Sequence, residues 1–174
     1  MLIKHFVMGL LLPPFAAIAV DSVGSVSMQV SILDNTCSVD AKLGNVVLGS
    51  VALRDIQNRG GTSVPVQFPV VLNRCGLYAK KVSIYAKGVT VTGKENALAL
   101  NGEGSGETAE DVGVWLLDAK KRVVAINQPD RPITESLTPG GDTVIGFSAQ
   151  YVLTGDNPRS GQADSDLTLT FAYE

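Results

Sequence analysis

The C-terminal segment alternates with a period of two. From Asp164 onward, Ser165, Leu167, Leu169, Phe171 and Tyr173 share one face, and Asp164, Asp166, Thr168 and Thr170 share the other. That is the pattern of a β-strand with one buried and one solvated side. Nothing follows this strand to cover its open edge, so it is either paired internally on both sides or takes a strand from another chain. A second alternation lies near the N-terminus, where Gly24, Val26, Met28, Val30 and Ile32 interleave with Ser25, Ser27, Gln29 and Ser31. Its small polar partners suit it poorly to burial on both faces. Between the two, strands are predicted over 46–51, 64–72, 80–86, 112–118, 122–125, 143–152 and 163–173. Turn signals separate them at Arg59-Gly60-Gly61, Cys75-Gly76, Thr138-Pro139-Gly140-Gly141 and Gly155-Asp156-Asn157-Pro158. Pro69 lacks a ladder donor, which puts 64–72 at an edge or at a bulge. No stretch of ten residues carries a helical period, and the pattern predicts an all-β sandwich.

The first residues read as a secretory signal. Lys4 and His5 precede an apolar run from Phe6 to Leu12, and Ala17-Ile18-Ala19 supplies a small-x-small cleavage site. The run is too short to span a bilayer, so no direct membrane insertion is expected after cleavage. Three segments follow: a signal over 1–19, an N-terminal extension over 20–33, and a single sandwich domain over 34–174. Cleavage removes Lys4 from the 14 basic residues, leaving 13 against 17 acidic ones and a formal charge of −4. No basic patch is present, which argues against a nucleic-acid partner.

Export bears on the two cysteines. Cys37 and Cys75 are the only pair, and an oxidising compartment favours a disulfide between them over two free thiols or half of a metal site. The bridge would close a 39-residue loop counted from Cys37 to Cys75, worth about 4 kcal/mol in the chain-entropy account. The one histidine, His5, leaves with the signal. Without it, neither a Ser-His-Asp or Cys-His catalytic arrangement nor a His-ligated zinc site can be built. Glu103, Glu107, Glu110 and Asp111 fall in or beside a Gly-rich stretch that reads as a solvated loop. Gly102-Glu103-Gly104-Ser105-Gly106 lacks the Lys-Ser/Thr of a phosphate loop. No enzyme and no cofactor is expected.

The motifs together resemble the subunits of chaperone–usher pili, the type 1 fimbrial protein family. The family's N-terminal pattern aligns with Gly24, Val26, Met28, Val30, Ile32 and Cys37; its second-cysteine strand aligns with Phe68, Leu72 and Cys75. Ala97 to Leu100 and Val112 to Asp118 resemble two of its central motifs, and Phe147 to Tyr151 followed by Thr154-Gly155 resembles its penultimate strand and turn. Gly161, fourteen residues from the end, and the penultimate Tyr173 match its terminal signature.

The resemblance implies an incomplete immunoglobulin-like β-sandwich lacking its last strand, with an N-terminal donor-strand extension. Gly24, Val26, Met28, Val30 and Ile32 would form that donor. Gly161, Leu167, Leu169, Phe171 and Tyr173 would form the groove that receives a chaperone strand or a neighbour's donor. The implied partners are a periplasmic pilus chaperone, an outer-membrane usher and neighbouring pilus subunits. The implied place is a surface fimbria, reached through the periplasm and supporting cell adhesion.

Two positions depart from the pattern: Met28 replaces an aromatic, and Val30 stands where the family has glycine. With Val30, either the acceptor groove is wider or docking is slower. The competing reading is a secreted carbohydrate-binding or adhesive β-sandwich module, in which Trp115 and Tyr85 would line a sugar site.

Overall fold

The structure is a computed structural model that describes residues 36–39 and 46–174. The signal and the 20–33 extension lie outside the described residues. Among them, strands run over Ser38–Val39 (β1), Val66–Asn73 (β2), Lys81–Lys87 (β3), Thr90–Val91 (β4), Lys94–Leu98 (β5), Val112–Leu117 (β6), Ile133–Ser136 (β7), Thr143–Leu153 (β8) and Thr168–Tyr173 (β9). One short helix, Leu53–Asn58 (α1), interrupts them. Two sheets result, one in the order β1-β2-β8-β6-β5-β4 and one in the order β7-β3-β9. All the strand pairings are antiparallel.

The core lies between the sheets because inward and outward residues alternate along each central strand. In β2, Val70 and Leu72 are fully buried; in β3, Val82 and Ile84 are; in β6, Leu116 is. Phe147 of β8 stacks on Phe68 of β2 with ring centroids 6.0 Å apart, a separation within the favourable range for aromatic pairs. Cys37 and Cys75 are bonded, with Cα atoms 4.0 Å apart. The bridge joins the approach to β1 to the exit of β2, beside the pairs Ser38–Asn73 and Val39–Leu72.

Two predicted elements come out differently. Residues 46–51 form no strand, and the chain turns into α1, whose Ile56 is buried next to β8. Six residues are too few for a helical period to stand out. Segment 122–125 makes only isolated bridges at its margins, Val123 with Leu117 and Ile126 with Ala86. Strand β2 pairs with β8 over Val66–Leu72 and with β1 only at its last two residues, so Pro69 stands on an edge, as its missing donor led one to expect. Strands β4, β5 and β7 were not foreseen.

Candidate functional site: an open groove beside the terminal strand

Strand β9 pairs with β3 along one edge: Val82 with Tyr173, Ile84 with Phe171, Ala86 with Leu169 and Lys87 with Thr168. Among the described residues its other edge has no ladder partner. The burial pattern carries the consequence. On β3 the inward-facing Val82, Ile84 and Ala86 are at most 4% exposed. Their partners on β9 face the same way, yet Leu169, Phe171 and Tyr173 are only half-buried, and Leu167 just ahead of the strand is too. The outward residues Thr168, Thr170 and Ala172 are exposed. An apolar row aligned with the core but uncovered is what a sheet shows when the next strand is missing.

A groove of about 1030 Å³ runs along this row. Leu167, Leu169 and Phe171 form one wall. Leu98, Val114 and Leu116 of the large sheet form its floor. Val39 and Leu48 close the far side. The 46–51 segment, read in sequence as a strand, therefore supplies a rim through residues 46–49. Of the terminal residues expected at this site, Leu167, Leu169 and Phe171 line the groove. Tyr173 lies on the same face past the cavity, with its hydroxyl donating to the Cys37 carbonyl at 3.4 Å. Burial pushes the Tyr173 phenol above its ordinary pKa.

Gly161 stands outside the groove, at the point where the chain crosses from one sheet to the other. Ahead of β9, residues 162–165 are bonded to the 99–109 loop of the large sheet. Ala109 N donates to the Gln162 carbonyl at 2.9 Å, and Gln162 N to the Glu107 carbonyl at 2.8 Å. Asn101 N donates to the Asp164 carbonyl at 2.7 Å, and Ser165 Oγ to the Ala99 carbonyl at 2.8 Å. From Thr168 the same segment joins β3. At the crossover Gly161 is pressed onto the backbone of residues 107–109, leaving no room for a Cβ. Its φ is not positive, so close approach rather than turn geometry requires glycine there.

The groove ends near Asp164 and Asp166, which border it together with Ser165. Tyr151 stands there with its hydroxyl within reach of the carbonyls of Gly49 (3.5 Å) and Ala163 (3.4 Å). Burial first, and the nearby Asp164 charge second, raise its pKa. Sequence reasoning missed Tyr151, the rim at 46–49 and the floor of β5 and β6. Leu98, Val114, Leu116 and Tyr151 fall within the family motifs, but nothing in the sequence assigns them, or the 46–49 rim, to the groove.

The predicted carboxylate loop is solvated: residues 101–107 form turns and bends and are exposed. Trp115 faces away from the groove, opposite Gln150, half-buried on the outer side of the large sheet. Tyr85 is half-buried on β3, paired with Thr170. The two are therefore in different sheets and share no face that could cradle a sugar. Among the described residues no group of three or more His, Cys, Asp or Glu side chains could hold a metal.

Comparison with known proteins follows the same lines. The model of the fimbrial protein family matches residues 25–174. The chain is 30% identical to the type 1 fimbrial protein A chain of Escherichia coli K12 over 155 residues, 87% of this chain and 84% of that protein. It is also 30% identical to the S-fimbrial protein subunit SfaA of Escherichia coli O6:K15:H31 over 154 residues, 87% of this chain and 83% of that one. Among solved structures, the P pilus rod subunit PapA superposes with a TM-score of 0.66 at 16% identity, over 79% of this chain and 99% of that one. A subunit of a chaperone–usher pilus rod superposes with the same TM-score at 18% identity, over 91% of this chain and all of the other. Those are immunoglobulin-like pilin folds that lack a strand, as this one does. The uncovered edge, the terminal strand and the family match over residues 25–174 agree, and the chain belongs to the fimbrial protein family.

Proposed function

We propose that this structural pilus subunit enters its polymer by strand donation, with the groove beside β9 as the acceptor. The observation that carries the reading is the row Leu167, Leu169 and Phe171, aligned with the core but half-exposed along an edge strand without a second partner among the described residues. An added strand would bond to that edge through its main chain and drop alternate side chains onto the row, the two sources of affinity and specificity in β-augmentation. In the finished pilus the strand comes from a neighbouring subunit's extension. In this chain the corresponding donor is Val26, Met28, Val30 and Ile32, which could contribute roughly 6–12 kcal/mol before ordering costs. Before assembly, a periplasmic chaperone supplies the strand and an outer-membrane usher directs its exchange. The 1–19 segment supports export by that route. The family's role is structural, consistent with a subunit that carries no chemistry of its own and supports adhesion as part of a surface fibre.

The test is to remove the acceptor. Deleting residues 167–174 is expected to abolish copurification with the chaperone and to leave the chain degraded in the periplasm. A truncated chain that still copurified would place the recognition elsewhere.

A further inference from the structure

The end of the sandwich at which the chain reaches Cys37 holds two adjacent large apolar side chains in solvent. Leu77 is 67% exposed and Tyr78 72%. They sit on a stiff support. Cys75, two residues earlier, is bonded to Cys37. The Cys75 amide donates to the Gly141 carbonyl, and the Gly140 amide to the Cys75 carbonyl, both at 3.0 Å. Ala79 N closes the turn onto the Gly76 carbonyl at 3.1 Å. An apolar pair held rigidly in water is spared the ordering cost that a mobile loop meets on docking.

The opposite end has its own exposed apolar side chain, Val89, 77% exposed. It lies near the Asp166 end of the groove: a Cβ at the preceding residue, Gly88, would meet the carbonyl of Asp166, a residue bordering the groove, at 3.0 Å.

We propose that the Leu77–Tyr78 surface docks on the Val89 end of a second copy of this chain. The proposal rests on the strand-donation reading, with the donor antiparallel to β9, and adds a second contact to it. An antiparallel donor places Ile32 at the β9 start, beside Val89 of the acceptor. Only residues 33–36 separate Ile32 from Cys37, a path of at most about 18 Å when fully extended. Tyr78 is three residues from Cys75 and therefore close to Cys37. The tether thus delivers the donor's Leu77–Tyr78 surface to the Val89 end of its acceptor. Tethering raises the effective concentration of a weak contact and lets a small patch set the docking geometry.

The test compares the mature chain with a variant carrying Leu77→Asp and Tyr78→Asp, and separately one carrying Val89→Asp. The readout is the rate at which each forms strand-exchanged dimers that resist denaturant. A synthetic peptide covering residues 20–36, which has the donor but neither surface, is exchanged into the same chains in parallel. The expected result is dimer formation at least tenfold slower for each variant, with the peptide exchanging at the unaltered rate. That unchanged rate also shows that the variants fold. Tyr78→Lys mixed with Val89→Asp copies should recover the dimer rate. Variants that dimerise like the parent while the peptide binds would overturn the end-to-end contact and leave strand donation standing. A peptide that binds none of the chains would overturn strand donation and this contact with it.

Discussion

Ile84 and Phe171 are cross-strand partners that face the same interior, yet Ile84 is 1% exposed and Phe171 only half-buried. Position in the sheet accounts for the difference: among the described residues β3 is flanked on both sides and β9 on one. Truncating Phe171 should therefore cost the unfilled subunit less than the ~3–5 kcal/mol of a fully buried phenylalanine. Phe171→Ala is expected to lower stability by about 1–2 kcal/mol and to weaken strand binding at least tenfold. Urea unfolding with and without a donor peptide separates the two effects. Equal losses in both states would mean that the ring is ordinary core.

Gly161 and the 107–109 backbone make a different kind of contact. A side chain at this crossover has nowhere to go, because the obstruction is backbone rather than the end of a flexible side chain. Gly161→Ala should cost more than ~2 kcal/mol, in the range of overpacked sites, and should loosen the 162–165 bonds to the loop. Thermal unfolding gives the size, and exchange of the Ala109 and Gln162 amides shows whether the loss is local.

The disulfide ties the start of the sandwich to the exit of β2. Cys37→Ser is expected to destabilise the chain by roughly 2–5 kcal/mol, lower its yield and leave Cys75 open to alkylation. Mass spectrometry after alkylation checks the thiol. Two reactive thiols in the unaltered native chain would contradict the bridge.

Asp118 predicts a pH dependence. Burial acts to raise its pKa, but the Arg122 amide, the Arg122 guanidinium and the Lys120 amide outweigh burial and hold the carboxyl below its ordinary value. Those bonds are short: 2.9 Å from Arg122 N, 2.7 Å from Arg122 Nε and 2.8 Å from Lys120 N. A group with a depressed folded pKa stabilises fully above its unfolded value, about 3.9, and loses that contribution as pH falls through the folded value. Asp118→Asn should therefore cost ~1–3 kcal/mol at pH 7, and its difference from the parent should shrink from about pH 4 downward and vanish once pH is below the folded value. Urea midpoints between pH 7 and pH 2 test this.

How much was legible in the sequence depended on the length and regularity of each element. The terminal strand could be read because six residues of clean alternation border its groove. The 163–167 stretch continues that alternation, but its hydrogen bonds go to the 99–109 loop, and period alone does not name the partner. Strand β5 begins with Lys94, Glu95 and Asn96 exposed and ends with Ala97 and Leu98 buried, so it lacks the alternation of a half-buried strand. Strand β7 is four residues long. The 46–51 segment reads as a strand because its apolar residues prefer that state, but its first four residues rim the groove without a ladder partner among the described residues. The family motifs located the groove strand. They did not reveal Tyr151 or the rim, which are assembled from distant parts of the chain.

Two substitutions probe the proposed donor. A glutamine at Met28 should weaken docking strongly, since its amide would be buried without a partner. Val30→Gly reports the width of the acceptor. If the groove is narrow there, glycine speeds exchange despite an entropic cost of ~0.5–1 kcal/mol. If it has widened to match valine, glycine leaves a cavity and loosens docking. Exchange kinetics against the chaperone-held chain distinguish these outcomes.

The most direct measurement is amide hydrogen exchange along β9 in the mature chain, with and without a peptide covering residues 20–33. Strand donation predicts that amides on the unpaired edge of β9 gain protection in an alternating pattern, while those already bonded to β3 change little. A peptide that leaves β9 unprotected, together with a chain that stays monomeric and soluble, would contradict the account.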